Sequence, residues 1–253
     1  KGATSCHEFK LEGYLPQALN NFLVLLGWSH PQGKEIMSLE EMISGFSLER
    51  LNPAGAVFDP VKLKWMNGQY MRSLPTNELV RLFKEYLTLL LSSSKNDLER
   101  LFPEMPEPKL RDWVTEVGKW DIPKLEKNLD AVRTSSDTLW DLLRQLTLFS
   151  DVFFDVTPES QEVLAWPSTA AILNEWRDFL LAKDERGHIS VGEFNLFLDH
   201  VKQKFQVKGK HLFMPLRVAV LGRPHGMELG TVIPLLSCAQ LLNRVTQVLN
   251  QKL

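Results

Sequence analysis

The chain has 253 residues, of which 44% are hydrophobic and 24% are charged, and its formal net charge is −2. These values are typical of a globular protein with two or three domains, and they exclude a disordered chain. A net charge this close to zero does not attract nucleic acid to the protein as a whole. A polyanionic partner would therefore need a local basic patch.

Membrane insertion and a disulfide framework are also excluded by the sequence. No apolar run approaches the roughly 18 residues that a spanning helix requires, and the first residues, KGATSCHEFK, have no apolar signal core. The two cysteines, Cys6 and Cys238, are too far apart in sequence to suggest a disulfide scaffold. We therefore expect a cytoplasmic protein that does not contact a membrane.

Helical periodicity dominates the predicted elements. The segment YLPQALNNFLVLLG (14–27) places Pro16 in a first helical turn, apolar residues on one face and Gly27 at the end. Capping-box patterns begin three further helices, at SLEE (38–41), SVGE (190–193) and SCAQ (237–240). No alternating segment longer than RVAVL (217–221) suggests a strand. The sequence therefore predicts an all-α fold.

Two breaks in this pattern divide the chain into three predicted domains. RSLPTNE (72–78) follows an N-terminal part rich in Gly and Trp, and DVFFDVTPES (151–160) precedes the last helical part. We place the domains at 1–72, 73–155 and 156–253. FPEMPEPK (102–109) is predicted to be a loop within the second of them.

Patterns for catalysis or metal binding are absent from the sequence. It has no glycine-rich phosphate loop and no serine in a nucleophile turn. Cys6 and His7 are adjacent, which is not the spacing of metal ligands. Glu40 and Glu41 lie at a predicted helix start, where the helix dipole explains them without catalysis. On residues alone, the chain is a binding module.

A basic window lies near the C-terminus. Between His200 and Met227 there is no acidic residue, while this window contains Lys202, Lys204, Lys208, Lys210, Arg217 and Arg223. Such residues neutralise phosphates, and Phe205 and Phe213 could stack on unpaired bases. The alternative is a solvated helix end with both aromatic side chains in the core. The segment MPLRVAVLGRPHGMELG (214–230) favours binding, because its glycines allow close approach and Pro215 and Pro224 stiffen a loop.

A second candidate interface is FDPVKLKWMNGQYMR (58–72), where Lys62, Lys64 and Arg72 accompany Trp65 and Tyr70. The pattern alone favours a core helix with Trp65 buried and the lysines outward. A nucleic-acid contact is the other interpretation.

Long segments at fixed spacing resemble bacterial glutamyl-tRNA synthetase, a class I aminoacyl-tRNA synthetase. They are GYLPQALNNFLVLLGWS (13–29), FSLERLNPAGAVFDPVKLKWMNGQYMR (46–72) and, more loosely, MPLRVAVLGRPHGMELGTVIPLL (214–236). KGATS (1–5) is similar to the residues after the family's KMSKS-type loop. The resemblance, weakest over 87–130, implies a stem-contact helical domain followed by two helical anticodon-binding domains.

The resemblance implies that the chain binds glutamate tRNA through its stem and anticodon for ATP-dependent glutamylation. The family's Rossmann domain, which has the HIGH and KMSKS signatures and uses ATP and magnesium, is not in this sequence. We therefore expect a C-terminal fragment that holds no cofactor or metal, is inactive alone and has that catalytic domain as a partner. The alternative is a helical protein-interaction scaffold derived from the same fold.

The resemblance also implies site residues. Arg217 corresponds to an arginine that approaches the anticodon, and the positions that hold its central bases are Gly226, Met227, Leu229 and Gly230. The stem contacts in the first predicted domain are Lys62, Lys64 and Arg72.

One departure from the family concerns the third anticodon base. The family arginine that reads it, in the motif R-x-K-T-L, is replaced by Ser135 in SSDTL (135–139). Serine cannot make the bidentate contacts of a guanidinium. We hypothesise that the full enzyme accepts both glutamate and glutamine tRNAs. The competing explanation is that Arg133, two residues away, replaces the lost side chain.

Overall fold

The computed structural model describes residues 5–52 and 57–251. Within these ranges the chain consists of helices and turns, and its β-pairing is limited to two isolated bridges, Trp28–Leu51 and His188–Ser237. The predicted all-α fold is confirmed. Most of the KGATS segment, residues 1–4, lies outside the described residues.

The chain divides into two compact units, Lys1–Leu146 and Thr147–Leu253. The predicted break near residue 72 lies within the first unit, and the predicted break at 155 lies within the second. The division into three domains remains a prediction.

The first unit contains nine helices in its described part. They are α1 (Cys6–Leu11), α2 (Pro16–Gly27), α3 (Leu39–Gly45), α4 (Pro60–Ser73), α5 (Thr76–Ser92), α6 (Lys95–Leu101), α7 (Glu107–Gly118), α8 (Ile122–Arg133) and α9 (Leu139–Gln145). Ser38 begins α3 with the predicted capping box, and Pro16 occupies the first turn of α2. The predicted loop 102–109 is shorter than expected, because α7 begins at Glu107 with Pro108 in its first turn.

Helix α4 packs against α2, while α5 packs against α7 and α8. The inward face of α4 consists of Leu63, Met66, Asn67 and Met71, which follow helical spacing. This arrangement leaves Trp65 on a different face, where 42% of it is exposed. The favoured interpretation of Trp65 as a core residue was therefore wrong.

The second unit has six helices in its described part. They are α10 (Ser160–Leu164), α11 (Thr169–Leu181), α12 (Val191–Phe205), α13 (Lys210–Leu221), α14 (Leu229–Val232) and α15 (Cys238–Asn250). Helices α11, α13 and α15 pack on one another, and the buried Trp176 of α11 contacts Phe194 and Phe197 of α12. The predicted capping boxes at Ser190 and Ser237 begin α12 and α15.

The segment 214–230 is not a single loop. Residues 214–221 complete α13, and Pro215 is buried within that helix instead of stiffening a loop. The irregular part is residues 222–228, hereafter the 222–228 turn, after which α14 begins at Leu229.

Candidate nucleic-acid interface

The 222–228 turn begins at a glycine that the fold requires. Gly222 has φ +72°, and a Cβ there would lie 1.9 Å from the backbone oxygen of Asp155. The Gly222 carbonyl accepts hydrogen bonds from the backbone N–H of Thr157 (2.9 Å) and from Ser160 Oγ (2.9 Å). The start of the turn is therefore fixed by close contact with residues 155–160.

The other end of the turn is held by Arg217. Its Nη1 donates to the carbonyl oxygens of Gly226 (2.8 Å) and Met227 (2.7 Å). Gly226 has φ +128°, a backbone conformation that other residues rarely adopt. In this structure Arg217 therefore shapes the turn, and its predicted contact with the anticodon remains a prediction.

The surface of the turn presents polar groups that have no internal partner. Arg223 and His225 are exposed and form no hydrogen bond or ion pair within the described ranges, whereas Pro224 is buried. In the same part of the chain, the backbone N–H groups of residues 225–228 donate to no carbonyl or side chain. Unpaired N–H groups beside a cationic side chain are suited to phosphate oxygens and base edges.

The remaining predicted anticodon residues near the turn differ in exposure. Met227 and Gly230 are half-buried, and Leu229 is buried. Gly226 is exposed. The Leu229 side chain therefore supports the turn from within, while Gly226 lies at the surface with its carbonyl bonded to Arg217.

A buried arginine that sequence reasoning missed lies behind the turn. Arg244 is 1% exposed and donates through Nη1 to the Val220 carbonyl (2.8 Å) and through Nε to Asp151 Oδ1 (2.8 Å). Burial lowers the pKa of Arg244, although the hydrogen bond that Arg244 donates to Asp151 opposes this effect. The signal in the sequence was an arginine on the apolar face of α15, between Leu241 and Val248.

Several cations of the basic window are paired within the second unit. Lys202 lies 2.9 Å from Asp199, and Glu175 accepts from both Lys204 (2.6 Å) and His200 (2.7 Å). Both hydrogen bonds lower the pKa of Glu175, and the one from Lys204 has the larger effect. The basic window contains no acidic residue, but Asp199 and Glu175, which lie outside it in the sequence, are in contact with its cations in the structure.

The remaining cations of this window are Lys208, Lys210, Arg217 and Arg223. Except for Arg217, they are exposed, and none of the four has an acidic partner among the described residues. Phe205 is half-buried with Lys204 Nζ 5.5 Å from its ring centroid, whereas Phe213 is 37% exposed. Of the two predicted stacking residues, Phe213 is the more accessible.

Ser135, the predicted departure from the family, lies at the surface of the first unit. Its Oγ donates to the Val132 carbonyl (3.1 Å) and to Gln145 Oε1 (3.0 Å), and Gln145 Nε2 donates to the Ser135 carbonyl (2.7 Å). An amide side chain therefore lies beside the position of the family arginine.

Arg133 is engaged elsewhere. Its Nη2 donates to the carbonyls of Met71 (2.9 Å), Arg72 (3.2 Å) and Leu74 (2.6 Å), which end helix α4. Its Nη1 pairs with Asp130 (3.0 Å). Because these bonds satisfy orphan carbonyls at a helix C-terminus, they disfavour a role for Arg133 in reading a base.

The three predicted stem contacts are all in ion pairs. Lys62 pairs with Glu35 (2.7 Å), Lys64 with Asp141 (3.0 Å), and Arg72 with Asp137 (3.0 Å). Arg72 Nη1 also donates to the Ser136 carbonyl (3.3 Å). A tRNA phosphate would therefore compete with a carboxylate at each of these positions.

The loop that contains Asp137 lies directly on α4. A Cβ at Gly68 would be 1.9 Å from Asp137 Oδ1. The buried Asn67 accepts from the Leu15 N–H (2.8 Å) and donates to the Asp137 carbonyl (2.5 Å). The end of α4 and residues 136–137 are thus held together by specific polar contacts.

Metal clusters and membrane-spanning helices are absent from the described ranges. No group of three or more His, Cys, Asp or Glu side chains is arranged to hold a metal ion there. Among the helices of the same ranges, none has the length and apolarity needed to cross a bilayer.

Family models match most of the chain. A model described as an anticodon binding domain matches residues 78–249. The model of the catalytic domain of class I tRNA synthetases (E and Q) matches residues 1–65.

Curated relatives are similar along nearly the whole chain. A glutamate–tRNA ligase from Bdellovibrio bacteriovorus is 39% identical over 249 residues, which are 98% of this chain and 46% of the relative. One from Natranaerobius thermophilus is 33% identical over 254 residues, which are 99% of this chain and 47% of that protein. The chain therefore spans less than half the length of these relatives.

A solved structure has a similar fold. The crystal structure of a glutamate tRNA ligase from Elizabethkingia meningosepticum matches 96% of this chain and 42% of its own, with a TM-score of 0.75 and 20% identity. At this identity, the match supports the fold alone.

Proposed function

The chain belongs to the glutamate–tRNA ligase family and contains that family's anticodon-binding domain, and on this basis we propose that it binds the anticodon arm of glutamate tRNA. The binding would serve ATP-dependent glutamylation by a longer enzyme, of which this chain is the tRNA-binding part.

The observation that supports this proposal best is the 222–228 turn. Its ends are held by Gly222 and Arg217, so its backbone is already ordered before any partner arrives. Arg223 and His225 are exposed, and the backbone N–H groups of residues 225–228 have no acceptor among the described residues. A preordered surface of donors loses less conformational entropy when it binds a polar ligand. We propose that this surface holds the central anticodon bases.

The chemistry of glutamylation would be supplied by another part of the enzyme. We propose that ATP and magnesium bind to a Rossmann domain, and that this domain is a partner of residues 1–72. Several apolar side chains between α2 and α3 support such an interface, because Leu39 and Ile43 are 55% and 69% exposed. They border a groove of about 440 Å³, lined by Asn20, Leu23, Val24, Leu39, Met42, Ile43 and Phe46. Apolar patches of this kind mark interaction surfaces.

The proposed stem contacts are Lys62, Lys64 and Arg72. Their internal carboxylate partners neutralise them in the free protein, so we propose that a stem phosphate replaces the carboxylate on binding.

We further propose that the enzyme acts in the cytoplasm. Because Ser135 replaces an arginine, we also propose that the enzyme accepts glutamine tRNA as well as glutamate tRNA.

A salt titration tests the proposed function. The chain would be mixed with a fluorescent anticodon stem-loop of glutamate tRNA, and the dissociation constant would be measured from low to high salt. We expect binding at low salt and a linear fall of log K with log salt, because phosphate contacts release counterions. A DNA hairpin of unrelated sequence serves as the control. No binding at low salt, or binding that salt does not weaken, would overturn the proposal in favour of a protein-interaction scaffold.

A further inference from the structure

Helix α13 has one narrow solvent-facing strip. Most of its side chains are buried, among them Leu212, Pro215, Leu216 and residues 218–221. The side chains of α13 that are not buried are Lys210, His211, Phe213, Met214 and Arg217, the last two being half-buried. Among them, Lys210, Phe213 and Arg217 are spaced i, i+3 and i+7 and define the strip. Residues at this spacing share one face of a helix. The strip leads from the start of α13 toward the 222–228 turn.

Phe213 is unusual in its exposure. It is 37% exposed, whereas the other Phe and Trp side chains among the described residues of the second unit are buried or half-buried. A single exposed aliphatic residue needs no explanation. An exposed phenyl ring between two cations differs, because it offers a flat face on which a nucleic-acid base can stack.

The cations beside Phe213 are not neutralised internally. Lys210 lies one helical turn before it, and Lys208 lies two residues before the start of the helix; both are exposed and lack an acidic partner among the described residues. Lys210 Nζ lies 5.7 Å from the ring centroid of Trp166. By contrast, Lys202 and Lys204 on α12 pair with Asp199 and Glu175. Positive charge that is available to a phosphate is therefore concentrated around Phe213.

The distance to the 222–228 turn fits a shared ligand. Phe213 and Gly222 are nine residues apart, which corresponds to about 13 Å along a helix. A single-stranded loop of a few nucleotides can span this distance, so one RNA loop can contact the turn and the ring at the same time.

We propose that Phe213 stacks on an unpaired base of the anticodon loop, outside the bases held by the 222–228 turn, while Lys208 and Lys210 contact the phosphates beside that base. This inference depends on the proposed function. It adds a stacking position and two phosphate contacts to the tRNA-binding surface.

The test combines protein variants with RNA that lacks single bases. Affinities would be measured for the wild-type chain, Phe213→Leu and Phe213→Trp, each with the anticodon stem-loop and with versions in which one loop nucleotide is abasic. Leu196→Ala is the matched control, because Leu196 is also exposed on the second unit but lies on α12. Thermal unfolding of every variant would verify that the fold is retained.

We expect Phe213→Leu to weaken binding about tenfold, as is typical of base–aromatic stacking, and Phe213→Trp and Leu196→Ala to bind like the wild type. At one loop position, removal of the base should weaken wild-type binding by a similar factor but have little further effect on Phe213→Leu. Lys210→Gln should reduce the salt dependence of binding, whereas Lys202→Gln should leave it nearly unchanged.

The possible failures can be told apart. A wild-type chain that does not bind the stem-loop at all would overturn the proposed function, and with it this inference. If the wild-type chain binds normally, two results would overturn the stacking role alone. One is that Phe213→Leu binds as tightly as the wild type. The other is that the loss of affinity in Phe213→Leu adds fully to the loss caused by removing the base at every loop position.

Discussion

Arg217 and Gly226 are joined by a hydrogen bond of 2.8 Å from the guanidinium to the backbone carbonyl, across the 222–228 turn. An arginine that would be taken from the sequence for a ligand-binding residue thus holds the backbone of the turn. Its contribution to binding should consequently differ in kind from that of Arg223, which has no hydrogen-bond or ion-pair partner in the part of the chain that the structure describes.

The first prediction separates these two roles. Arg217→Ala should weaken stem-loop binding about tenfold without changing the salt slope, because the lost charge faces carbonyls instead of phosphate. Arg223→Ala should weaken binding and lower the magnitude of the slope by about one, as expected for a lost phosphate contact. Both are measured by salt titration, and equal changes of slope in the two variants would contradict the distinction.

The second prediction concerns Gly222. Gly222→Ala should destabilise the protein by about 3 kcal/mol, because it combines a left-handed backbone with overlap on the Asp155 carbonyl. Gly230→Ala is the control, since a Cβ there meets nothing within 4 Å. Urea denaturation would give both values, and a similar midpoint for the two variants would argue against a fixed start of the turn.

The third prediction concerns the ion pair between the buried Arg244 and the half-buried Asp151. Asp151→Asn should destabilise the protein by roughly 3 kcal/mol, because Arg244 then remains buried with its charge less compensated. Arg244→Met combined with Asp151→Asn should recover much of the loss, as both charges are then gone. A double-mutant cycle, with unfolding free energies measured in urea, gives the coupling energy between the two side chains. If the effects of the two single substitutions simply add, the two side chains stabilise the fold independently of each other.

The fourth prediction is a pH dependence at the start of α12. Hydrogen bonds from Lys183, and from Ser190 in the capping box, lower the pKa of Glu193 to about 2. Because the folded pKa lies below the unfolded value, Glu193 stabilises the fold above about pH 4.5. This contribution is lost as the pH falls toward 2.

The measurement compares Tm between the wild type and Glu193→Gln across this pH range. The wild type should be more stable at pH 7, and the difference should shrink toward pH 2. Glu162→Gln, at an exposed position on α10, is the control. A difference that stays constant with pH would show that the carboxylate charge is not the source of the stabilisation.

The fifth prediction addresses tRNA choice. Ser135→Arg should restore discrimination between stem-loops that differ solely in the third anticodon base, because a guanidinium can make bidentate contacts that serine cannot. Arg133→Lys should leave the ratio of the two affinities unchanged, since Arg133 is occupied by carbonyls at the end of α4. Strong discrimination by the wild-type chain would contradict the proposed tolerance of glutamine tRNA.

Local signals in the sequence predicted the starts of the helices, but they could not predict ion pairs between residues that are distant in sequence. Ser38, Ser190 and Ser237 begin helices as their capping boxes indicate, since such a box depends on residues three positions apart. The pairing of Lys204 with Glu175 joins two helices, so an acid-free run of sequence could not reveal it.

The same limit applies to the candidate site. The sequence drew attention to Arg217 and Gly226, but their mutual hydrogen bond depends on how α13 and the turn fold back on each other. The sequence pattern favoured a buried Trp65, whereas the buried face of α4 consists of Leu63, Met66, Asn67 and Met71 and leaves Trp65 42% exposed. Arg133 is two residues from the departure at Ser135, yet its side chain, at the end of α8, is bonded to carbonyls at the end of α4.

The contact between Arg72 and residues 136–137 has a thermodynamic consequence. The same guanidinium is a proposed phosphate ligand and an anchor for the loop that continues from Ser135. An anion that displaces Asp137 from Arg72 therefore removes a restraint on that loop. By linkage, whatever orders the loop changes the affinity of Arg72 for the anion by the same free energy. The proposed phosphate contact at Arg72 and the proposed selection of the third anticodon base would then both depend on the same equilibrium, which is between the restrained and the released loop.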